Sequence, residues 1–110
     1  MDHMPSSTTR PEKITHPPAS ALDLPTIMRA LGDPVRLEIV RLLADGQERL
    51  CGELSSALDI PTSTGSYHLR LLREAGLTHA RAKGTQRYIT LRFDDLEQRF
   101  PGLVAVLTSA

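Results

Sequence analysis

The sequence predicts a mainly α-helical α+β domain with a β-hairpin near its end, in the order α-α-α-α-β-β-α. Three observations predict it. Apolar residues recur at helical spacing between Leu24 and Leu77. After Gly76 the period falls to two, and Gly84-Thr85 divides the alternating run. Asp33-Pro34, Asp45-Gly46 and Gly76 supply the start and stop residues that such helices need. A chain of 110 residues makes one domain with a tail, and so small a core favours an oligomer that covers more apolar surface.

Residues 1–22 are rich in Pro, Ser and Thr and poor in apolar side chains, which assigns them to a disordered arm before a domain of residues 23–110. Leu24 to Leu31 carries Ile27, Met28 and Leu31 on one stripe, with Pro25 in the first turn and Gly32 at the stop. Asp33 caps the next helix and Pro34 opens it; Val35, Ile39, Leu42 and Leu43 form its buried stripe. Arg49 to Cys51 is a short extended lead-in, and Gly52 to Leu58 a brief helix with Leu54 and Leu58 inward.

Asp59-Ile60-Pro61 turns into the stretch that organises the rest, PTSTGSYHLRLLREA, residues 61–75. Its helical faces separate. Gly65, Leu69 and Leu72 can pack, while Ser63, Ser66, Tyr67, Arg70 and Arg73 form a short, hydrogen-bonding, basic face of the kind that suits a major groove. Thr62 and Ser63 offer hydroxyl caps, Thr64 joins the polar first turn, and Gly76 with Leu77 folding back on Leu72 gives the stop. A short helix, a tight turn and a longer helix with a polar N-terminal face make a helix-turn-helix.

Thr78 to Lys83 and Gln86 to Phe93 alternate as strands around Gly84-Thr85, a two-residue turn with glycine first. That turn pairs Lys83 with Gln86, Arg81 with Tyr88 and His79 with Thr90. His79, Arg81, Lys83, Tyr88 and Arg92 then share one face; Ala80, Ala82, Ile89, Leu91 and Phe93 share the other. A basic hairpin beside such a helix reads as a wing that grips flanking phosphates; the plain alternative is a hairpin with solvated charges. In the last helix Asp94 is the expected cap, with Glu97 reaching back to it, and Pro101-Gly102 interrupts. Its residues Leu96, Phe100, Leu103, Val104 and Leu107, with Ile27, Met28 and Leu31 of the first helix, form either a homodimer surface or a stripe docked on their own core.

Formal net charge is zero, yet Pro61 to Phe93 holds six Lys/Arg against one Asp/Glu. Such segregation is the footprint of a polyanion binder, here double-stranded DNA. One cysteine excludes an internal disulfide, and no apolar run approaches the ~20 residues of a membrane span. No secretory signal is visible, so a cytoplasmic setting is the default. No shared motif joins Cys51 to the four histidines and no phosphate-cradling glycine loop exists, so an enzyme is not expected.

ALGDPVRLEIVRLL (30–43), STGSYHLRLLREAGL (63–77) and KGTQRYITL (83–91) together resemble the ArsR/SmtB family of winged-helix repressors. The resemblance implies a homodimeric winged helix-turn-helix that binds an imperfect inverted repeat in a promoter, with half-sites about 34 Å apart or a multiple of it. It implies that Ser63, Thr64, Ser66, Tyr67 and Arg70 face the groove, and that Arg81, Lys83, Thr85 and Arg87 face the wing phosphates. Many family members sense metals through a Cys-x-Cys pair beside the short helix or through Asp, His and Glu on the last helix. This chain departs from both: Cys51 stands alone and the last helix has no His.

Cys51 reads as a small buried hydrophobe, or as a redox cysteine with Arg49 nearby. His68 falls between the packing and groove faces, which suits a half-buried hydrogen-bonded ring or, more sharply, a ligand. Met1-Asp2-His3 could offer Ni(II) or Cu(II) four nitrogens in a plane, centred on His3; no other cofactor is expected. Beside the DNA-binding reading stands a second, in which the response comes from a separate sensor protein held by the apolar C-terminus.

Overall fold

The computed structural model describes residues 14–109. After one 3₁₀ turn, Ala19–Ala21, come α1 (Leu24–Leu31), α2 (Pro34–Leu43), β1 (Arg49–Leu50), α3 (Cys51–Ala57), α4 (Thr62–Glu74), β2 (Thr78–Lys83), β3 (Gln86–Leu91), α5 (Phe93–Arg99) and α6 (Leu103–Ser109). The hairpin register is the one its turn dictates, Arg81 opposite Tyr88 and Lys83 opposite Gln86, with Gly84 at φ +63°. The lead-in does more than expected. Arg49 and Leu50 pair with Ile89 and Tyr88, which makes a three-stranded antiparallel sheet in the order β1-β3-β2.

Helix ends follow local chemistry, with two departures. Asp33 accepts from the N–H groups of Val35 (2.8 Å) and Arg36 (3.2 Å), and Asp23 does the same for Thr26 (3.0 Å). At the end of α4, Leu77 N–H reaches the Leu72 carbonyl and Gly76 N–H that of Arg73, both at 3.0 Å, around a glycine at φ +87°. The first departure is at the start of α4. Pro61 is the N-cap and no side chain among the described residues caps the helix, so Thr62 and Ser63 are left exposed. The second is α5, which starts at Phe93, so Asp94 lies inside its first turn and is not its cap. Arg92 N–H bonds the Leu77 carbonyl (3.0 Å) and ends the strand early; Phe93 leaves the inner face and is 45% exposed. Glu97 accepts instead from Gly102 N–H (3.2 Å), where the chain breaks between α5 and α6.

Ile27, Ile39, Leu43, Leu54, Leu72, Leu77 and Leu96 are the fully buried centre of the core. This corrects half of the expected dimer surface. Ile27, Leu31, Leu96 and Val104 are core residues, and Phe100, Leu103 and Leu107 are partly buried against them; Met28 alone of the eight stays well exposed. The reason is that α6 returns onto α2, where Arg41 Nε donates to the Leu107 carbonyl (2.8 Å). Among the described residues, the large apolar side chains exposed on the helices besides Tyr67 are Leu24, Met28, Phe93 and Val106.

The boundary of the arm is a further correction. Residues 14–22 form a strap laid against the body. Leu22 is buried and Ile14 packs on the core. Arg92 Nη1 donates to the Pro17 carbonyl (2.8 Å), and Arg99 donates to those of Ala19 and Leu22 (3.0 Å each). Ala80 N–H donates to His16 Nε2 (3.0 Å), and the His16 ring stacks on His79 with centroids 4.3 Å apart. Composition hides this strap because three of its ties are to backbone carbonyls, which any residue supplies.

Burial, then the neighbouring His79, Arg73 and Arg92, hold His16 below the ordinary imidazole value. Only an unprotonated Nε2 accepts from Ala80. A lowered folded-state value means that this tie is complete above the ordinary imidazole range and is lost as pH falls through the lowered value. The protection factor of the Ala80 amide is therefore expected to drop as pH falls below the ordinary imidazole range, and to be low at every pH in His16→Ala. Hydrogen exchange followed by NMR reads this; a pH-independent protection factor in the wild type would contradict it.

Candidate nucleic-acid interface

The helix-turn-helix is built around one close approach. Glu53 Oε1 accepts from Leu50 N–H (2.7 Å) at the start of α3, and Ile60 N–H bonds the Ser55 carbonyl (3.1 Å) across the turn. Asp59 takes φ +55° to make that turn. Gly65 then faces Ser55 so closely that a Cβ would overlap Ser55 Oγ and stand 3.1 Å from its Cβ. The absent side chain at Gly65 thus sets how α4 sits on α3. His68, 8% exposed, accepts from Arg36 Nη1 at Nδ1 (3.2 Å) and ties α4 to α2. It is hydrogen-bonded as expected, deeper than half-buried, and does not face the groove.

The outward side of α4 carries Thr62, Ser63, Ser66, Tyr67 and Arg70, all exposed, while Thr64 and Arg73 are half-buried. The Arg70 guanidinium lies 5.6 Å from the Tyr67 ring centroid and meets Glu74 only through one 3.9 Å contact between well-exposed side chains. An exposed pair of that length holds its arginine weakly. Arg73 is held deeper, and its Nε is buried with no hydrogen-bond partner among the described residues.

The wing presents two different basic surfaces. Pairing places His79, Arg81, Lys83 and Tyr88 on one face, but Arg87 opposite Ala82 and so on the other, with Ala80 and Ile89. Grouping Arg87 with Arg81 and Lys83 is corrected: Arg87 looks toward α4 and lines a groove of about 260 Å³ with Ser66, Tyr67, Arg70 and Arg73. A wider concavity of about 920 Å³ lies between α3, the first turn of α4 and the hairpin, lined by Cys51, Thr62, Ser66, Thr85 and Arg87 among others. Lys83, Gly84 and Thr85 are exposed at the tip.

Arg81 is not simply presented to solvent. Its Nε and Nη2 donate to Glu48 Oε2 and Oε1, each at 2.7 Å, and its guanidinium lies 4.5 Å from the Tyr88 ring centroid. Hydrogen bonding from Arg81 lowers the Glu48 carboxyl below the usual carboxylate range, and the same bond raises the Arg81 value. Sequence reading missed Glu48 because the contact spans 33 residues and depends on β1 lying beside β3. The usable signal was the acid two residues before Leu50, on the same side of the strand.

Cys51, read as a buried hydrophobe, is half-buried at the rim of the larger concavity, with Sγ 3.8 Å from Ser66 Oγ. His79 is exposed and engaged by His16. His3, with the nickel or copper reading that rests on it, lies outside the described residues. Among the described residues no group of three or more His, Cys, Asp or Glu is placed to hold a metal ion, and no helix is long and apolar enough to cross a membrane.

Comparison with known proteins places this geometry. The family described as a helix-turn-helix domain matches residues 31–80. The HTH-type transcriptional regulator YceK of Bacillus subtilis is 42% identical over 82 residues, which is 74% of this chain and 82% of that protein. The HTH-type transcriptional repressor SmtB of Mycobacterium tuberculosis is 38% identical over 71 residues, 64% of this chain and 52% of that one. The solution structure of a homodimeric winged helix-turn-helix DNA-binding domain from Mycobacterium bovis, a possible ArsR-family regulator, superimposes with TM-score 0.64 and 33% identity, covering 76% of each chain.

Proposed function

Because this chain belongs to the ArsR/SmtB family of winged helix-turn-helix transcriptional regulators, we propose that it binds an inverted-repeat promoter site as a homodimer, through α4 and the wing. One observation carries this reading: the exposed residues of α4 and the hairpin border the same two concavities, which are lined by Ser66 and Arg87 together. Thr62, Ser63, Ser66, Tyr67 and Arg70 enter the major groove, where short hydroxyls and an arginine fork match base edges. Arg73, Lys83, Thr85 and Arg87 meet the backbone on either side. The homodimeric M. bovis domain supports the pairing, and exposed Met28, Leu24 and Val106 are the apolar side chains a partner copy would cover. The lack of a Cys-x-Cys pair and of a histidine on α5 or α6 supports a response by a route other than the family's usual metal sites.

Fluorescence anisotropy on a duplex taken from upstream of its own gene tests the reading. Arg70→Ala is expected to weaken binding about 10- to 100-fold, the worth of one good base contact. Lys83→Ala is expected to weaken binding to any sequence and to make the salt dependence shallower by about 0.9 in slope. Affinity indifferent to both substitutions would remove this surface from the function.

A further inference from the structure

An acid stands inside the cationic wing. The Glu48 carboxylate receives two parallel donors from Arg81, the same fork that an arginine offers a phosphate. Tyr88 backs the guanidinium plane. Glu48 comes from outside the hairpin, on the lead to β1, and the pairing of Arg49 and Leu50 with β3 fixes where it stands. We propose that Glu48 is an internal stand-in for a DNA phosphate, which occupies Arg81 in the unbound protein and so sets how tightly the wing holds the DNA backbone.

Two features favour competition over simple support. The pair is open to solvent, with side chains 46% and 35% exposed, so its partners can exchange. The two arginines are also treated differently. Arg70, on the base-reading face, is tied by a single 3.9 Å contact; Arg81, on the hairpin, is tied by two at 2.7 Å. Sequence-independent grip is restrained while base readout is left available. A phosphate that reaches Arg81 must either displace the carboxylate or bring its own charge beside it, and both cost affinity. His79 and Lys83 are the other cationic or titratable groups acting on Glu48, and both favour its ionised form, so it remains a competitor across the pH range in which DNA binding is measured.

The inference rests on the reading that the wing meets DNA. It is tested by anisotropy with the upstream duplex and a random-sequence duplex of equal length, between about 50 and 200 mM salt. Glu48→Gln is expected to tighten binding to both duplexes by the same factor, about three- to tenfold, with a slope of log K against log salt steeper by about 0.9, one phosphate gained. In an Arg81→Ala background the Glu48→Gln gain is expected to vanish. A gain that persists without Arg81 would reduce Glu48 to general surface charge. A loss of affinity would make it a support for Arg81, and no change would make it a bystander; each overturns the proposal. Arg70→Ala separates the two levels: if it weakens the upstream duplex while Glu48→Gln is silent, the competitor fails and the DNA-binding reading stands. Thermal melting of Glu48→Gln within a few degrees of wild type confirms that the fold is intact.

Discussion

Gly65→Val is expected to destabilise the domain by about 3 kcal/mol, at the upper end of the overpacking range, and to abolish DNA binding at concentrations where the wild type is saturated. Ser55 is 3% exposed, so its hydroxyl has no open space into which to rotate, and its Cβ also crowds the site. The two helices must separate, and α4 then no longer sits where α3 and the turn direct it. At this size 1 kcal/mol corresponds to about 4–8 °C, so the midpoint should fall by roughly 15 °C. Gly65→Ala combined with Ser55→Ala is the control: it removes the Oγ, which has no hydrogen-bond partner among the described residues, and leaves only the 3.1 Å approach. That double variant should melt near wild type, helped by the helix propensity of alanine over glycine. Calorimetry decides, and a Gly65→Val midpoint within a few degrees of wild type would mean that the helices do not meet there.

Gly76→Ala comes next in size. The residue holds φ +87°, which costs a side-chain-bearing residue about 1–2 kcal/mol. A Cβ there would also run into the buried Leu22 methyl, with Pro17 Cγ at 3.5 Å, so the strap must lift. Partial exposure of a leucine adds about 1–2 kcal/mol of the 1.5–3 that full burial is worth, for a total near 3 kcal/mol. The strap should then be cut by protease in residues 14–22 while the rest of the domain stays folded. Leu22→Ala alone should also destabilise, but Leu22→Ala with Gly76→Ala should cost less than the two losses added, because the shared clash is gone. Strict additivity would show that Gly76 and Leu22 do not meet.

Where a feature depends on neighbours close along the chain, it was legible in advance. The Asp33-Pro34 start, the Gly76 stop with Leu77 bonded to Leu72, and the hairpin register all follow from residues within six positions of each other. The exposed side of α4 follows from helical period alone. What depends on distant packing was not legible. An apolar stripe at Leu96, Val104 and Ile27 looks the same whether a second copy or the same chain covers it, and here the chain covers it. The strap is held by Arg92 and Arg99 through main-chain oxygens, which leave no trace in composition. Arg87 differs for another reason: the family resemblance grouped it with Arg81 and Lys83, while the register sets it opposite Ala82, on the other face of the hairpin.

The sheet has two margins, and neither is left bare at its root. On the β1 side the pairing stops after two residues, and on the β2 side an imidazole takes the amide of Ala80. A foreign strand therefore finds little main chain to zip onto, and the hairpin can project a positively charged finger without inviting stacking between molecules. Shortening the chain to begin after Leu22 would uncover that second margin, so such a fragment should lose solubility on storage before it loses its helical content.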